Sequence, residues 1–181
     1  MITTNKSIQR IEAILQYYTQ ALGGHYNTYR NHVYRVYYLT LQLVETDITS
    51  EEMESLAVGA AFHDLGVWTH HTMNYLTPSV EMATTYMDEN NIGKIGVVDL
   101  LIEQHHKLGH YKGTHEHLVE PFRQADLVDL SFGLICFGLP ATLYNELKDE
   151  FPYLGFHSLI YAKVMAYAVK HIWNPFPMMK V

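Results

Sequence analysis

The sequence predicts an all-α fold, a single-domain helical bundle over residues 1–181, and three observations carry that expectation. Apolar residues recur every three or four positions in segment after segment, the spacing that lines one face of a helix. Alternation with period two never persists long enough to suggest a strand. With 181 residues, 48% hydrophobic and 17% charged, the chain has enough apolar material for one packed core without staples.

Residues 4–22 carry Ile8, Ile11, Ile14, Leu15 and Tyr18 at helical spacing and stop at Gly23-Gly24, which predicts an N-terminal covering helix. Residues 27–45 form the next helix. There His32, Val36, Leu39 and Leu43 share a face, so His32 points where the leucines point, flanked by Arg30 and Arg35. Thr49-Ser50-Glu51-Glu52 reads as a capping box that starts a central helix. That helix contains Leu56-Ala57-Val58-Gly59-Ala60-Ala61-Phe62-His63-Asp64-Leu65-Gly66, with Leu56, Ala60 and His63 on one side. Gly66 is expected to end it in a left-handed conformation.

Residues 67–77, which include His70 and His71, lack periodicity and read as a loop. Pro78 is expected near the start of a helix capped by Thr77, with Val80, Ala83 and Met87 inward, ending at Asn90-Asn91-Ile92-Gly93. Residues 94–106 align Val98, Ile102 and His105 on one face. A polar loop, 107–117, holds His110, His115 and His117, where His115-Glu116-His117 is either a surface chelate or a plain exposed tract. Pro121 is expected to open a helix bearing Phe122, Ala125, Asp126 and Asp129. The two carboxylates lie close in angle, so they face solvent or share a cation. A short helix, 141–150, and a long one, 156–172, complete the chain, the latter with Ile160, Val164, Tyr167 and His171 on one stripe before Pro175 and Pro177.

Composition narrows the function classes. A formal charge of −7 argues against a nucleic-acid polymer as partner, though not against a small phosphorylated ligand in a locally basic pocket. Cys136 is the single cysteine, which excludes an intramolecular disulfide and fits a reducing compartment. No apolar run is long enough to span a membrane, and the N-terminal residues lack the pattern of a signal peptide. A soluble cytoplasmic protein is the expectation, with homo-oligomerisation left open.

The chemistry lies in the histidines. Three helices each aim one inward, His32, His63 and His105, and carboxylates stand nearby at Asp64 and Asp126. Burying an imidazole beside an ionisable carboxylate costs several kcal/mol, on the order of the penalties for any unpaired buried charge, unless both are satisfied. A divalent ion satisfies both at once, and ligands spread over several helices suit a bundle-core site. A hydrogen-bonded core histidine beside a solvated aspartate is the plainer alternative.

The phrases Tyr29-Arg30-Asn31-His32-Val33-Tyr34-Arg35-Val36, then Ala60-Ala61-Phe62-His63-Asp64-Leu65-Gly66, then Ile102-Glu103-Gln104-His105-His106, then Ala125-Asp126-Leu127-Val128-Asp129-Leu130 occur in an order that resembles the HD-domain superfamily of metal-dependent phosphohydrolases. The resemblance covers about residues 27–131, with the final helix expected as a peripheral addition. It implies that His32, His63, Asp64 and Asp126 hold one divalent metal ion per chain, Mn, Co, Ni, Mg, Zn or Fe. It further implies that His105 binds a second metal or the substrate phosphate, with His106, Lys107, His70 and His71 as further candidates for that role. Relatives with two metals carry another histidine at the position of Tyr75, so the resemblance favours a mononuclear centre here.

The implied activity is hydrolysis of a small phosphorylated metabolite or nucleotide by a metal-activated water. Asp64 is the expected ligand and proton acceptor, and Arg35 and His105 are the expected partners of the developing phosphoryl charge. Two alternatives use the same scaffold: a di-iron oxygenase similar to myo-inositol oxygenase, and a non-catalytic domain that binds metal or nucleotide. Tyr17, Tyr18, Tyr34, Tyr37 and Tyr38 would stack on a base or simply fill the core. The stretch 67–76 has no carboxylate where some nucleotidases of this superfamily place a catalytic acid.

Overall fold

The first helix, α1 (Ile2–Tyr17), buries Ile11, Ile14 and Leu15 against the central helix α4 (Ser50–Phe62). The structure, a computed structural model, describes residues 2–93 and 95–180. The helix expected over residues 4–22 is interrupted. Thr19 Oγ1 donates to the Gln16 carbonyl at 2.8 Å, competing with the backbone, and a separate turn α2 (Thr19–Leu22) follows. Gly23, at φ +52°, ends it.

Helix α3 (Tyr26–Leu43) is the spine of the bundle. Tyr29, Val33, Val36, Tyr37 and Leu39 are all buried, so its middle is enclosed on more than one side, and its most extensive partner is α8 (Glu116–Leu130). The capping box that launches α4 is present: Thr49 Oγ1 accepts from the Glu52 amide at 3.2 Å, and the Glu52 carboxylate accepts from the Thr49 amide at 2.8 Å. The small residues of α4 let α7 (Ile95–Gln104) approach closely. A Cβ on Gly59 would sit 2.7 Å from Leu101 Cδ1.

Gly66 does not end α4 in a left-handed conformation. The helix stops at Phe62, and Gly66 begins a one-turn helix α5 (Gly66–Thr69) inside the segment expected to be a loop. Glycine stands there for space: its amide donates to Ser79 Oγ at 3.0 Å, and a Cβ would lie 2.6 Å from the Tyr75 carbonyl oxygen. Helix α6 (Leu76–Glu89) starts before the expected cap. Tyr75 precedes it, Thr77 lies within its first turn, and Pro78 occupies the third position, where a missing N–H costs little.

Pro121 does not open its helix either. The first turn of α8 is closed by the Leu118 and Val119 amides on the His115 carbonyl, at 2.9 and 3.0 Å, and Pro121 falls inside the helix. Helix α9 (Ala141–Glu150) matches its expected span, and α10 (Phe156–Lys170) ends two residues short of it. The chain then returns to the bundle. Leu108 N donates to Lys180 O at 2.9 Å, and Lys180 Nζ pairs with Glu103 at 3.1 Å. Among the described residues regular structure is helical, save one isolated bridge between Lys107 and Lys180, and no helix is long and apolar enough to cross a membrane.

Candidate metal centre

Helices α3, α4, α7 and α8 deliver their polar residues to one buried point. His32 comes from the middle of α3, His63 and Asp64 from the turn after α4, His105 and His106 from the end of α7, and Asp126 from α8. His32, His63, Asp64, His105 and Asp126 are each at most 3% exposed.

Second contacts fix which nitrogen of each ring is free. His63 Nδ1 lies 2.8 Å from the Ala60 carbonyl and His105 Nδ1 lies 2.7 Å from the Ile102 carbonyl. A carbonyl only accepts, so both Nδ1 atoms carry hydrogen. His32 Nδ1 donates to Asp129 Oδ2 at 2.7 Å. The Nε2 atoms of His32 and His63 consequently turn toward each other at 2.9 Å, with no hydrogen between them when both rings are neutral. Burial pushes the His63 pKa down to about 3, and the neighbouring His32 and His105 rings act the same way, so His63 is neutral.

Carboxylates complete this group. Asp64 Oδ2 stands 3.7 Å from both Nε2 atoms, and Asp126 Oδ1 stands 3.6 Å from His32 Nε2 and 3.8 Å from His63 Nε2. Donors held about 2.0–2.2 Å from a single ion stand roughly 2.8–3.6 Å apart, so His32, His63 and Asp126, whose donor atoms lie within 4.8 Å of one another, suit one ion with slight contraction. Both oxygens of Asp126 and Oδ1 of Asp64 are buried without a hydrogen-bond partner. Buried polar atoms are ordinarily satisfied, and a cation is the partner that suits two carboxylates and two imidazole lone pairs at once. Burial raises the Asp126 pKa to about 7. Burial also opposes the charge on Asp64, but His63 and then His105 hold that pKa well below the usual range.

A second group adjoins the first. Asp64 Oδ1 is 3.4 Å from His105 Nε2, and donor atoms of Asp64, His105 and His106 lie within 4.8 Å of one another. Asp64 thus straddles both groups. Tyr75 sends its hydroxyl into this group, 2.7 Å from His106 Nε2 and 3.4 Å from His105 Nε2. Burial keeps that phenol protonated. His106 Nδ1 faces Asp126 Oδ2 at 3.4 Å.

Several expected site residues are elsewhere. Arg35 is fully buried, but it faces Asp129, donating from Nε and Nη2 at 2.6 and 2.9 Å, and it donates from Nη1 to the Phe151 carbonyl at 2.7 Å. Its guanidinium also lies over Tyr153. Arg35 therefore supports His32 through Asp129 and does not line the cavity at the centre. Its periodicity hid this, because Arg35 and Asp129 are 94 residues apart. The acidic pair Asp126 and Asp129 is not a solvated face: Asp126 faces the two histidines, while burial is outweighed at Asp129 by His32 and Arg35, which hold its pKa well below the usual carboxylate range. His70 and His71 are exposed and belong to neither donor group, His70 pairing with Thr69 Oγ1 at 2.9 Å. In His115-Glu116-His117, Glu116 pairs with His110 and His117 with Glu52, and none of the three joins either donor group. Tyr17, Tyr18, Tyr34, Tyr37 and Tyr38 lie outside the cavity at the centre. Tyr34 bonds Glu12 and stacks on Phe151, and Tyr17 is exposed.

The last helix is more than peripheral. Phe156, at its first turn, stacks on the His32 ring with centroids 4.0 Å apart. Ile160, Tyr161 and Val164 line a cavity of about 340 Å³ that opens from Asp64, His105 and Asp126, with Lys107 at its wall. A larger hollow of about 490 Å³, lined by His71, Lys163 and Lys170 among others, touches none of the donor residues. The chain has no match among protein-family models, curated proteins or solved structures.

Proposed function

We propose that this protein is a metal-dependent phosphohydrolase of the HD-domain type, acting on a small phosphorylated substrate. One observation carries the reading: two imidazole lone pairs and two carboxylates converge in a buried site where neither oxygen of Asp126 has a hydrogen-bond partner. His32, His63, Asp64 and Asp126 are the residues that would hold the ion. When bound, a divalent ion supplies an acidified water and a Lewis acid for a phosphoryl oxygen.

The chain's own residues account for the rest. Asp64, shared between the two donor groups, is placed to accept a proton from the attacking water. Burial opposes a charge on His105, but Asp64 and Asp126 outweigh it and favour the charged form. His105 would donate from Nε2–H to the phosphoryl oxygens and give that proton to the leaving group, to be replaced by the proton that Asp64 takes from the water. His106, held by the Tyr75 hydroxyl, and Lys107 stand on the same wall of the cavity. The ring of Phe156 and the apolar side chains behind it exclude bulk water. In a dinuclear form of the same centre Asp64, His105 and His106 would hold the second ion, and His105 would then be a ligand and not the proton donor.

The test is metal content by elemental analysis of tag-free wild type beside Asp64→Ala, followed by a phosphoester panel with added manganese, cobalt or nickel. About one or two transition-metal ions per chain, lost in the variant, with turnover of a phosphomonoester, support the reading. Two irons with oxygen consumption and no hydrolysis would replace it with the oxygenase. Absence of metal uptake on titration would sink the site.

A further inference from the structure

We propose that the substrate carries a compact apolar group, alkyl or aryl, that fills the 340 Å³ cavity behind its phosphate, and that the centre does not serve nucleotides. The inference rests on the phosphohydrolase reading and specifies its substrate class. Its carrier is the asymmetry of the cavity. The polar residues gather at one end, where Asp64, His105, His106 and Asp126 meet. The remainder is walled by aliphatic and thioether side chains, among them Leu127, Leu130, Ile160, Val164 and Met178.

Groups able to serve a sugar or base are already committed. The Tyr161 hydroxyl donates to the Leu130 carbonyl at 2.7 Å, and the Tyr75 hydroxyl is taken by His106. Among the described residues lining the cavity, Lys107 is the one lysine or arginine, whereas a nucleoside di- or triphosphate calls for several cations. Arg35 and Arg123, the nearest buried guanidiniums in sequence to the donor residues, are spent on Asp129 and Glu120. A sugar hydroxyl or base edge pressed against this wall would lose its water and gain no hydrogen bond.

Size points the same way. Small-molecule sites run from about 300 to 1,000 Å³, so this cavity is at the small end. It is also closed over by the chain after α10. Phe176, Met178 and Met179 form part of its wall, and that segment is fastened by the Lys180 carbonyl on Leu108 N. Methionine side chains adapt to ligand shape, which suits a site that reads apolar bulk more than hydrogen-bond pattern.

The test is a series of n-alkyl phosphates from ethyl to octyl, beside adenosine and uridine monophosphates, with manganese-loaded protein. The expected kcat/KM rises about fourfold per added methylene until the cavity is full, and exceeds that of either nucleotide. Val164→Trp, at a half-buried wall position, is expected to move the optimum to a shorter chain. If monoesters are hydrolysed but the rate is flat in chain length, or the nucleotides win, the apolar pocket is refuted and the hydrolase stands. If no ester is hydrolysed, the hydrolase reading fails on its own, and calorimetric titration of n-alkylphosphonates onto the protein, with and without manganese, decides the pocket. Affinity rising with chain length supports it, and absent or length-independent binding overturns it.

Discussion

Replacing Asp129 by asparagine separates the residues that would touch a metal from those that aim them. Asp129 accepts three charge-assisted hydrogen bonds, from His32 Nδ1 at 2.7 Å and from Arg35 Nε and Nη2 at 2.6 and 2.9 Å, at a site with no exposure. Asparagine keeps one acceptor oxygen and turns an N–H₂ donor toward the remaining donors. Arg35 is left as a buried charge without its counter-ion, which costs about 3–5 kcal/mol of stability. His32 loses the anion that fixes its tautomer, and loss of such a partner typically lowers metal affinity about 10–100-fold. Urea unfolding of the metal-free protein reads the first effect and calorimetric titration with manganese reads the second. Arg35→Lys, which keeps the charge but cannot bridge both Asp129 oxygens and the Phe151 carbonyl, should fall between wild type and Asp129→Asn in both. An Asp129→Asn protein within about 0.5 kcal/mol of wild type, the range of an ordinary surface substitution, and with undiminished affinity would refute the reasoning.

Gly66→Ala places a methyl 2.6 Å from the Tyr75 carbonyl oxygen, a backbone atom that cannot step aside, so thermal unfolding should show a loss of about 1–3 kcal/mol. Retained stability would mean that α5 and α6 shift freely. Acid should destabilise the fold through Glu120, whose pKa is lowered below 4.5: burial opposes its charge, but Arg123 and the Tyr111 amide outweigh it. A depressed carboxylate stabilises the fold above its unfolded value and loses that contribution as pH falls below about 4.5 toward the folded pKa. Stability measured from pH 7 to pH 3 should decline in wild type and more gently in Glu120→Gln, and superimposable curves would exclude Glu120 as a cause.

The helical architecture was legible because each segment states its own period. The inward aim of His32, His63 and His105 was legible for the same reason, since each continues the apolar stripe of its own segment, whereas Asp64 and Asp126 carry no such sign. What local pattern could not show is pairing between distant segments. Arg35 sits one turn beyond His32 and looks like a candidate for the phosphate, yet its partner is 94 residues away. Gly66 is ambiguous in sequence, because a helix-ending glycine and a glycine that makes room for Tyr75 look alike there. The final helix was placed at the periphery because nothing in its stripe announces that Phe156 stacks on His32.

The distances along the chain that close this centre have a further consequence. His32 meets His63 across 31 residues and Asp129 across 97, so no short fragment of the chain holds the donors together. The centre is completed only when α3, α4, α7 and α8 have docked, and like-charged carboxylates are then forced together in the middle of the bundle. If the proposed ion binds there, it acts as a keystone that ties together the four helices whose docking creates its seat, and metal-loaded protein should then resist unfolding better than metal-free protein.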